Sequence, residues 1–487
     1  MIQRRNARTA RIGFFAVGHA TYWRQFDGLL DSLLACHAEV GDLICANDVE
    51  LFDLGMIDSS EKAFAAAERL NGLSLDLIFC DMVTYATSST FVPVIRNVTA
   101  PVVLVALQPL RRLDYTRADT FMQLQNDNIC SVPEFICAAE RMGKTVPDVI
   151  IGTMTDDPQP LAEIAEWCDI AKVLHDLRGA RIGLMGHVME AMYDMHTDPA
   201  QLSAAFGVHV PLLEIDTLCG LYEAVTEQEI ADKTALIRAE FDMPEPKQDP
   251  VTSRLTEHDL YEAARCACAL DRLIAERNLD GLAYYVEGGE GSLARRVASS
   301  LIVGNSILNA EGIPMCGEFD IKTCVAMLIM DRLDIGGSFA ELHPFDFDED
   351  YILVGHDGPH HLRVAESKPI LRSLKKYHGK PGCGASVEFK LREGPITMLG
   401  ITQKRDGAYK FVIGEGYSKK GDIPPTGNTN TRGFFPPSAR EFVKAWCMEG
   451  PTHHFALGVG HRASTIAKIG RLLGIETVVV NDRIGQK

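Results

Sequence analysis

The sequence predicts an α/β protein: two successive doubly wound α/β domains followed by a β-rich, barrel-like C-terminal domain. Three observations carry that expectation. Short apolar runs at 11–17, 75–80, 101–107 and 147–152 alternate with stretches of helical periodicity such as 25–37 and 60–70, and this strand, helix, strand repetition implies a parallel sheet. A second series follows, with strands at 181–186, 209–216 and 279–288 and a long helix from Thr256 to Asn278. After Arg332 the texture changes: runs at 385–391, 395–402 and 408–416 are separated by the turn sequences Glu393-Gly394-Pro395 and Arg405-Asp406-Gly407, an antiparallel hairpin pattern.

The three textures place an N-terminal α/β domain at 1–175, a central α/β domain at 176–315 and the β-rich domain at 316–487. The central helix has a defined start, because the Thr256 hydroxyl can cap it with Asp259 three residues on, a weaker form of the Ser/Thr-x-x-Glu box. The chain closes with helices at 438–448 and 464–473 and a strand at 476–482. No repeat of roughly 20 to 50 residues is visible, which argues against a solenoid.

Composition narrows the function. With 487 residues, 46% hydrophobic and 23% charged, the chain has ordinary globular composition, unlike a disordered or collagenous one. A net charge of −18 repels phosphate backbones and anionic membrane surfaces, so nucleic acid and membrane are not expected partners. The 13 Cys show no CxxC pairing and read as reduced thiols, which points to the cytoplasm. The opening MIQRRNARTARIGFFAVGHA reads as a basic tail leading into a buried strand, since its apolar run at 12–17 is too short for a signal peptide. No run approaches the ~18 consecutive apolar residues of a spanning helix.

The chemistry concentrates late in the chain. Eight of the 15 His lie between His343 and His461, interleaved with Asp and Glu. Within and just before this region stand Glu318 (CGEFD), Glu341 (FAELHPFDF), His356 (VGHDGPHH) and the pair His453-His454 (GPTHHFALGVGH). Two carboxylates and two imidazoles suit Mn²⁺, Co²⁺, Fe²⁺ or Zn²⁺, and without an HExxH spacing the ligands have to come from separate elements. A Glu on a surface is ordinarily a solvated charge, but Glu318 and Glu341 sit in apolar, glycine-rich settings where a buried charge needs a partner. His356 ends the apolar run YILVG, and neighbouring side chains of an extended segment diverge, so only one of His453 and His454 faces the site. Asp357, His360 and His361 are either supports that orient His356 or solvated loop residues. Asn428 and Arg432 in GNTNTR carry donors suited to sugar hydroxyls and are equally typical of a turn. The loose G-x-G-x-x-A patterns at 289–294 and 458–463 read as glycine-rich turns into helices, and no GxxxxGK[ST] or GxSxG occurs.

The runs GEFDIKTCVAMLIMDRL, GGSFAELHPFDF, VGHDGPHH and GPTHHFALGVGH, in this order, resemble the L-arabinose isomerase and L-fucose isomerase group. The resemblance covers roughly 316–361 and 450–461, with Glu318 opening the Glu-x-Asp-x-Lys-Thr run. It implies a metal-dependent aldose-ketose isomerase acting on an open-chain sugar such as L-arabinose or L-fucose. Glu318 and Glu341 would be proton-transfer groups and metal ligands, and His356 and His454, with His453 the alternative, would complete the coordination of Mn²⁺ or another divalent metal. The resemblance also implies a homo-oligomer in which the N-terminal domain of one subunit covers the site of another. His19, Tyr22 and Trp23, just after the first strand, are the candidates for that role, against a plain packing role at the sheet end. Two other functions fit the same residues: a metal-dependent sugar lyase or epimerase, and a non-catalytic sugar-binding or regulatory protein.

Overall fold

The computed structural model describes residues 2–189, 192–245, 252–358, 360–374, 376–377, 380–381, 384–424 and 431–484. They divide into two compact units, one of residues Arg8–Asp176 and one of Leu177 onward together with the N-terminal tail up to Ala7.

The unit Arg8–Asp176 is built on five parallel strands: β1 (Arg11–Val17), β2 (Glu50–Ile57), β3 (Leu77–Asp81), β4 (Val102–Gln108) and β5 (Val149–Thr153). Their order, β2-β1-β3-β4-β5, reverses between β1 and β3, and a ligand crevice in such sheets opens at the carboxyl ends of the strands flanking that reversal. Alternate residues of β1 enter different cores. Phe15 and Val17 join Ile78, Leu104 and Phe135 on one face, while Ala16 joins Leu29 and Leu33 on the other. Both faces of the sheet are therefore covered, which is why these strands read as unbroken apolar runs rather than as alternation.

Two larger sheets dominate the second unit. The first is parallel, with β6 (Ile182–Gly186) between β7 (Leu212–Leu213) and the strand Gly281–Tyr285, which in turn pairs with Met315–Cys316. The strand expected at 209–216 shrinks to β7 because Pro211 precedes it without an N–H and a helix begins at Ile215. The long helix Glu257–Arg277 starts on the expected reciprocal cap between Thr256 and Asp259. The second sheet is antiparallel through six strands, Gly394–Gln403, Phe455–Val459, Gly336–Asp346, Tyr351–Gly355, Thr431–Phe434 and Tyr409–Lys419 in that order, and Glu476–Val479 joins the last of them in parallel. Because Gly394–Gln403 also pairs with Tyr409–Lys419, these six strands close into a barrel. The run at 385–391 lies outside it, since Ala385–Glu388 pairs with Ile370–Leu374 in a small separate sheet. Phe455–Val459 was not expected as a strand; it is nonetheless buried along nearly its whole length in the barrel wall.

One apolar core runs from the parallel sheet (Met185, Leu282, Met315) into the barrel (Ala340, Ile396, Leu457). Between them lies the helix Ile321–Arg332, whose twelve residues are all buried. It packs against Gly281–Tyr285 on one side and against the barrel strands Gly336–Asp346, Phe455–Val459 and Gly394–Gln403 on the other. Gly337, at φ +112°, brings its strand so close that a Cβ there would stand 2.8 Å from the Met327 carbonyl.

A helix buried all round has no solvent for its polar side chains, so each must find a partner inside. Thr323 Oγ1 donates to Asp320 Oδ2 at 2.6 Å, and Arg332 donates to the Gly312 carbonyl and to Asp331. Asp331 also accepts from His361 Nε2 at 3.1 Å and from both terminal nitrogens of Arg4. The basic tail thus does more than precede the first strand: Arg4 and Arg5 dock it onto Asp331, Asp271 and Glu311. Among the described residues, no helix is long and apolar enough to cross a membrane.

Burial would raise the carboxyl of Asp331, but His361, Arg4 and Arg332 hold it well below the ordinary carboxylate range. A depressed native pKa contributes stability that is present above the unfolded value near ~3.9 and is lost as pH falls through the native one. Arg4→Ala is expected to destabilise the fold by about 3 kcal/mol at neutral pH, the cost of leaving a buried carboxylate short of a partner. Denaturant titrations of both proteins check this, and the gap between them should narrow on acidification below about pH 4 as Asp331 protonates.

Candidate metal centre

Glu318 is placed by a strained turn. The strand Met315–Cys316 ends, and Glu318 and Phe319 then both take left-handed conformations, at φ 55° and 66°, before Asp320 caps the helix Ile321–Arg332. Two consecutive non-glycine residues in this region store strain that the surroundings must hold. They do so through the Phe319 N–H, which donates to the Tyr284 carbonyl at 3.0 Å, and through Asp320, whose Oδ1 accepts from the Thr323 N–H at 3.1 Å. Glu318 follows the carboxyl end of a parallel strand, where site residues of such sheets gather.

The other side chains come from one end of three neighbouring barrel strands. Glu341 pairs with Gly355, which puts His356 one residue beyond it, and Ala340 pairs with Phe455, which puts His454 beside Glu341. The Phe339 ring, two residues before Glu341, packs against both imidazoles at centroid distances of 4.6 and 4.3 Å.

The four side chains converge. His356 Nε2 stands 3.7 Å from Glu318 Oε1 and 4.0 Å from Glu341 Oε1, and His454 Nε2 stands 3.5 Å from Glu318 Oε2. Glu341, His356 and His454 each offer one ligand atom within 4.8 Å of the others. Glu318, His453 and His454 form a second such group, so His454 is the imidazole common to both. His453 reaches Glu318 Oε2 at 4.0 Å through Nε2 and is 37% exposed, whereas His454 is fully buried.

The donor set fits a divalent cation. Glu318 Oε2 and His454 Nε2 are buried without a hydrogen-bond partner and stand 3.5 Å apart, a carboxylate oxygen and an imidazole nitrogen that suit a divalent cation. A carboxylate also stands behind each histidine: Asp357 Oδ1 lies 3.0 Å from His356 Nδ1, Asp320 Oδ2 lies 3.4 Å from His454 Nδ1, and Asp194 Oδ2 lies 2.6 Å from His453 Nδ1. Only the Asp194–His453 contact has hydrogen-bond geometry and so holds the ring proton on Nδ1; the other two carboxylates act on their imidazoles by charge and proximity.

Electrostatics follow from these contacts. Burial works against the charged form of His356, but Asp357, Glu318 and Glu341 outweigh it and raise the imidazole to about 9. His454 goes the other way, lowered by burial and by the neighbouring His356 and His453 despite its contact with Asp320. Asp320 is fully buried, which would raise its carboxyl, yet Lys322 and His454 hold it well below the carboxylate range. Asp194, also opposed by burial, is lowered by its bonds from His453.

The remaining sequence candidates lie elsewhere. Arg432 is engaged by the Asp422 carbonyl, by Glu349 at 3.2 Å and by the Tyr351 ring, away from the converging carboxylates. Asn428 lies outside the described residues. His19, Tyr22 and Trp23 belong to the unit Arg8–Asp176, where His19 and Tyr22 gather with Tyr85 after β1 and β3, at the strand-order reversal, and Trp23 Nε1 donates to Asp58. The loop at 458–463 does lead from a strand into a helix, but Glu415 Oε1 accepts from the Ala463 N–H at 2.7 Å and so occupies the place a phosphate would take. His361 is spent on Asp331, and His360 packs against Phe389. Sequence reasoning missed Asp194, for which no local signal exists. Asp320 and Lys322 were visible only as members of the Glu-x-Asp-x-Lys-Thr run.

No protein-family model matches the chain. Its sequence is similar to the L-arabinose isomerase of Aeromonas salmonicida, 21% identical over 417 residues that cover 82% of this chain and 80% of that protein. The L-arabinose isomerase of Anoxybacillus flavithermus is 22% identical over 411 residues, 82% of this chain and 79% of the relative. The sulfoquinovose isomerase of Priestia aryabhattai is 21% identical over 314 residues, 64% of this chain and 67% of the relative. These relatives support the isomerase family. Sugar isomerases are intramolecular oxidoreductases, and the chain is an enzyme.

An imidazole that takes up a cation must be neutral, and His356, raised to about 9 by its carboxylate neighbours, is protonated at neutral pH, so uptake of a divalent cation there would expel its proton. The sign is fixed: affinity for Mn²⁺ should rise with pH until about 9, while the support that protonated His356 gives the metal-free fold, complete below ~6.5, fades as pH rises through about 9. Calorimetry at pH 7 in buffers of different ionisation enthalpy should show close to one proton released per Mn²⁺ bound.

Proposed function

We propose that the chain is a metal-dependent aldose-ketose isomerase that moves a proton between C1 and C2 of an open-chain sugar through a cis-enediol. The observation that carries this reading is the convergence of Glu318 and Glu341 with His356 and His454 on one small volume, two lone pairs of which have no other partner. The sugar-isomerase relatives over 82% of the chain support the same reading.

Interconverting an aldose and a ketose needs a group that takes a proton from one carbon and a group that returns it to the other. Glu318 and Glu341 enter from different elements and face each other across His356, which lies within 4.0 Å of both, so the reacting carbons can sit between two carboxylates. Glu318 is 9% exposed and Glu341 32%, which makes Glu341 the more accessible of the two from solvent. A divalent metal such as Mn²⁺, held by Glu318, Glu341, His356 and His454, would supply Lewis-acid stabilisation of the charge that develops on the sugar oxygens. Asp357 and Asp320 stand near the Nδ1 atoms of the two imidazoles, and the Phe339 ring packs against both rings.

The substrate class is an aldopentose, aldohexose or deoxysugar in open-chain form, handled by a cytoplasmic homo-oligomer. His19, Tyr22 and Trp23 of a neighbouring copy are the proposed cover, supported by their place at the strand-order reversal. A monomer that is fully active at working concentration would remove that part of the proposal.

Glu318→Gln and Glu341→Gln keep nearly the same volume but cannot accept a proton. Each should lower ketose formation at least ~100-fold in a screen of aldoses with added Mn²⁺, while circular dichroism and melting stay close to those of the parent protein. Near-normal turnover in either variant rules out the assigned role.

A further inference from the structure

His453 lies on the solvent side of Glu318, and its orientation is built rather than incidental. Asp194 Oδ2 accepts twice from it, from the backbone N–H at 3.0 Å and from Nδ1–H at 2.6 Å. Asp194 is itself held, because the fully buried Lys322 donates its ammonium to the carbonyls of Asp194 at 3.0 Å and of Met195 at 3.1 Å. Lys322 lies in the first turn of the buried helix, two residues from the cap Asp320 that backs His454. One short stretch of chain therefore sets Glu318, backs His454 through Asp320 and anchors the loop that aims His453.

We infer that Asp194, anchored by Lys322, is a positioning residue that keeps the proton of His453 on Nδ1 and presents Nε2 as an acceptor to a sugar hydroxyl beside Glu318. The inference rests on the isomerase reading of the same centre. Burying a lysine ammonium is costly unless its protons are taken up, and here the acceptors are backbone carbonyls of the very loop that carries Asp194. The donors fall into two overlapping groups, Glu341 with His356 and His454, and Glu318 with His453 and His454, and His453 belongs to the second alone. Its 37% exposure leaves a face open to substrate where His454 has none.

The test compares Asp194→Ala, Asp194→Asn, His453→Ala and the double variant Asp194→Ala/His453→Ala, using L-arabinose and Mn²⁺. Asp194→Ala and His453→Ala should each lower kcat about 10- to 100-fold, the usual penalty for losing an orienting partner. The double variant should be no worse than His453→Ala, Asp194→Asn should recover part of the loss through its remaining acceptor oxygen, and Mn²⁺ affinity should stay within about twofold of the parent in all four. Normal kcat in Asp194→Ala overturns the inference, as do losses that multiply in the double variant. Loss of Mn²⁺ binding in His453→Ala also overturns it, by making His453 a ligand. A parent protein that binds Mn²⁺ without turning over L-arabinose or any other aldose counts against the isomerase reading alone. In that case ¹⁵N NMR of His453 decides: an Nδ1–H tautomer present in the parent and lost in Asp194→Ala supports the positioning role, and an Nε2–H tautomer in the parent overturns it.

Discussion

The structure depends on one constraint, the complete burial of the helix Ile321–Arg332 between a parallel sheet and an antiparallel barrel. Such a helix brings its polar residues into a medium with no water, and each satisfied group becomes a fixed point. At its start, Asp320 takes Thr323 and backs His454, while Lys322 reaches out to the loop at 194–195. At its end, Asp331 gathers Arg4, Arg332 and His361. His361 follows His356 in the same loop, so the two ends of the helix restrain the candidate centre from two directions. The strain of the Glu318-Phe319 turn is tolerable because it abuts the least movable element of the unit.

The barrel contributes precision of a different kind. Antiparallel pairing fixes the register of its strands, and so places Glu341, within its strand, beside His356 and His454, each one residue beyond the end of its own. A slip of one residue in either pairing would turn the affected side chain to the opposite face. A carboxylate also stands near each imidazole, Asp357 by His356 and Asp320 by His454. The two imidazoles are driven in opposite directions, His356 raised to about 9 and His454 lowered, a pair of shifts that burial alone would not produce.

Much of this was legible in the sequence, for physical reasons. Strands covered on both faces announce themselves as unbroken apolar runs, and β1, β3 and β4 were found within a residue or two. Glu318 and Glu341 stood out because charge in an apolar, glycine-rich setting needs a partner. The strand at 209–216 failed because Pro211 and the helix beginning at Ile215 leave only two residues to pair. The segment 385–391 reads as part of the hairpin series, yet it pairs with Ile370–Leu374, because alternation reveals a strand but not its neighbours. The choice between His453 and His454 turns on strand register and on Asp194, about 260 positions away, and neither leaves a local trace. Arg432 was judged by its donors alone, which Asp422 and Glu349 take up.

The central claim is that four side chains from a strained turn and three barrel strands form one metal centre. A crystal of the protein soaked with Mn²⁺ and measured at the manganese absorption edge tests it most directly. The account predicts a single anomalous peak per chain within coordination distance of Glu318, Glu341, His356 Nε2 and His454 Nε2, with His453 still bonded to Asp194. A peak held by His453 in place of His454, or no peak at this end of the barrel, would contradict it.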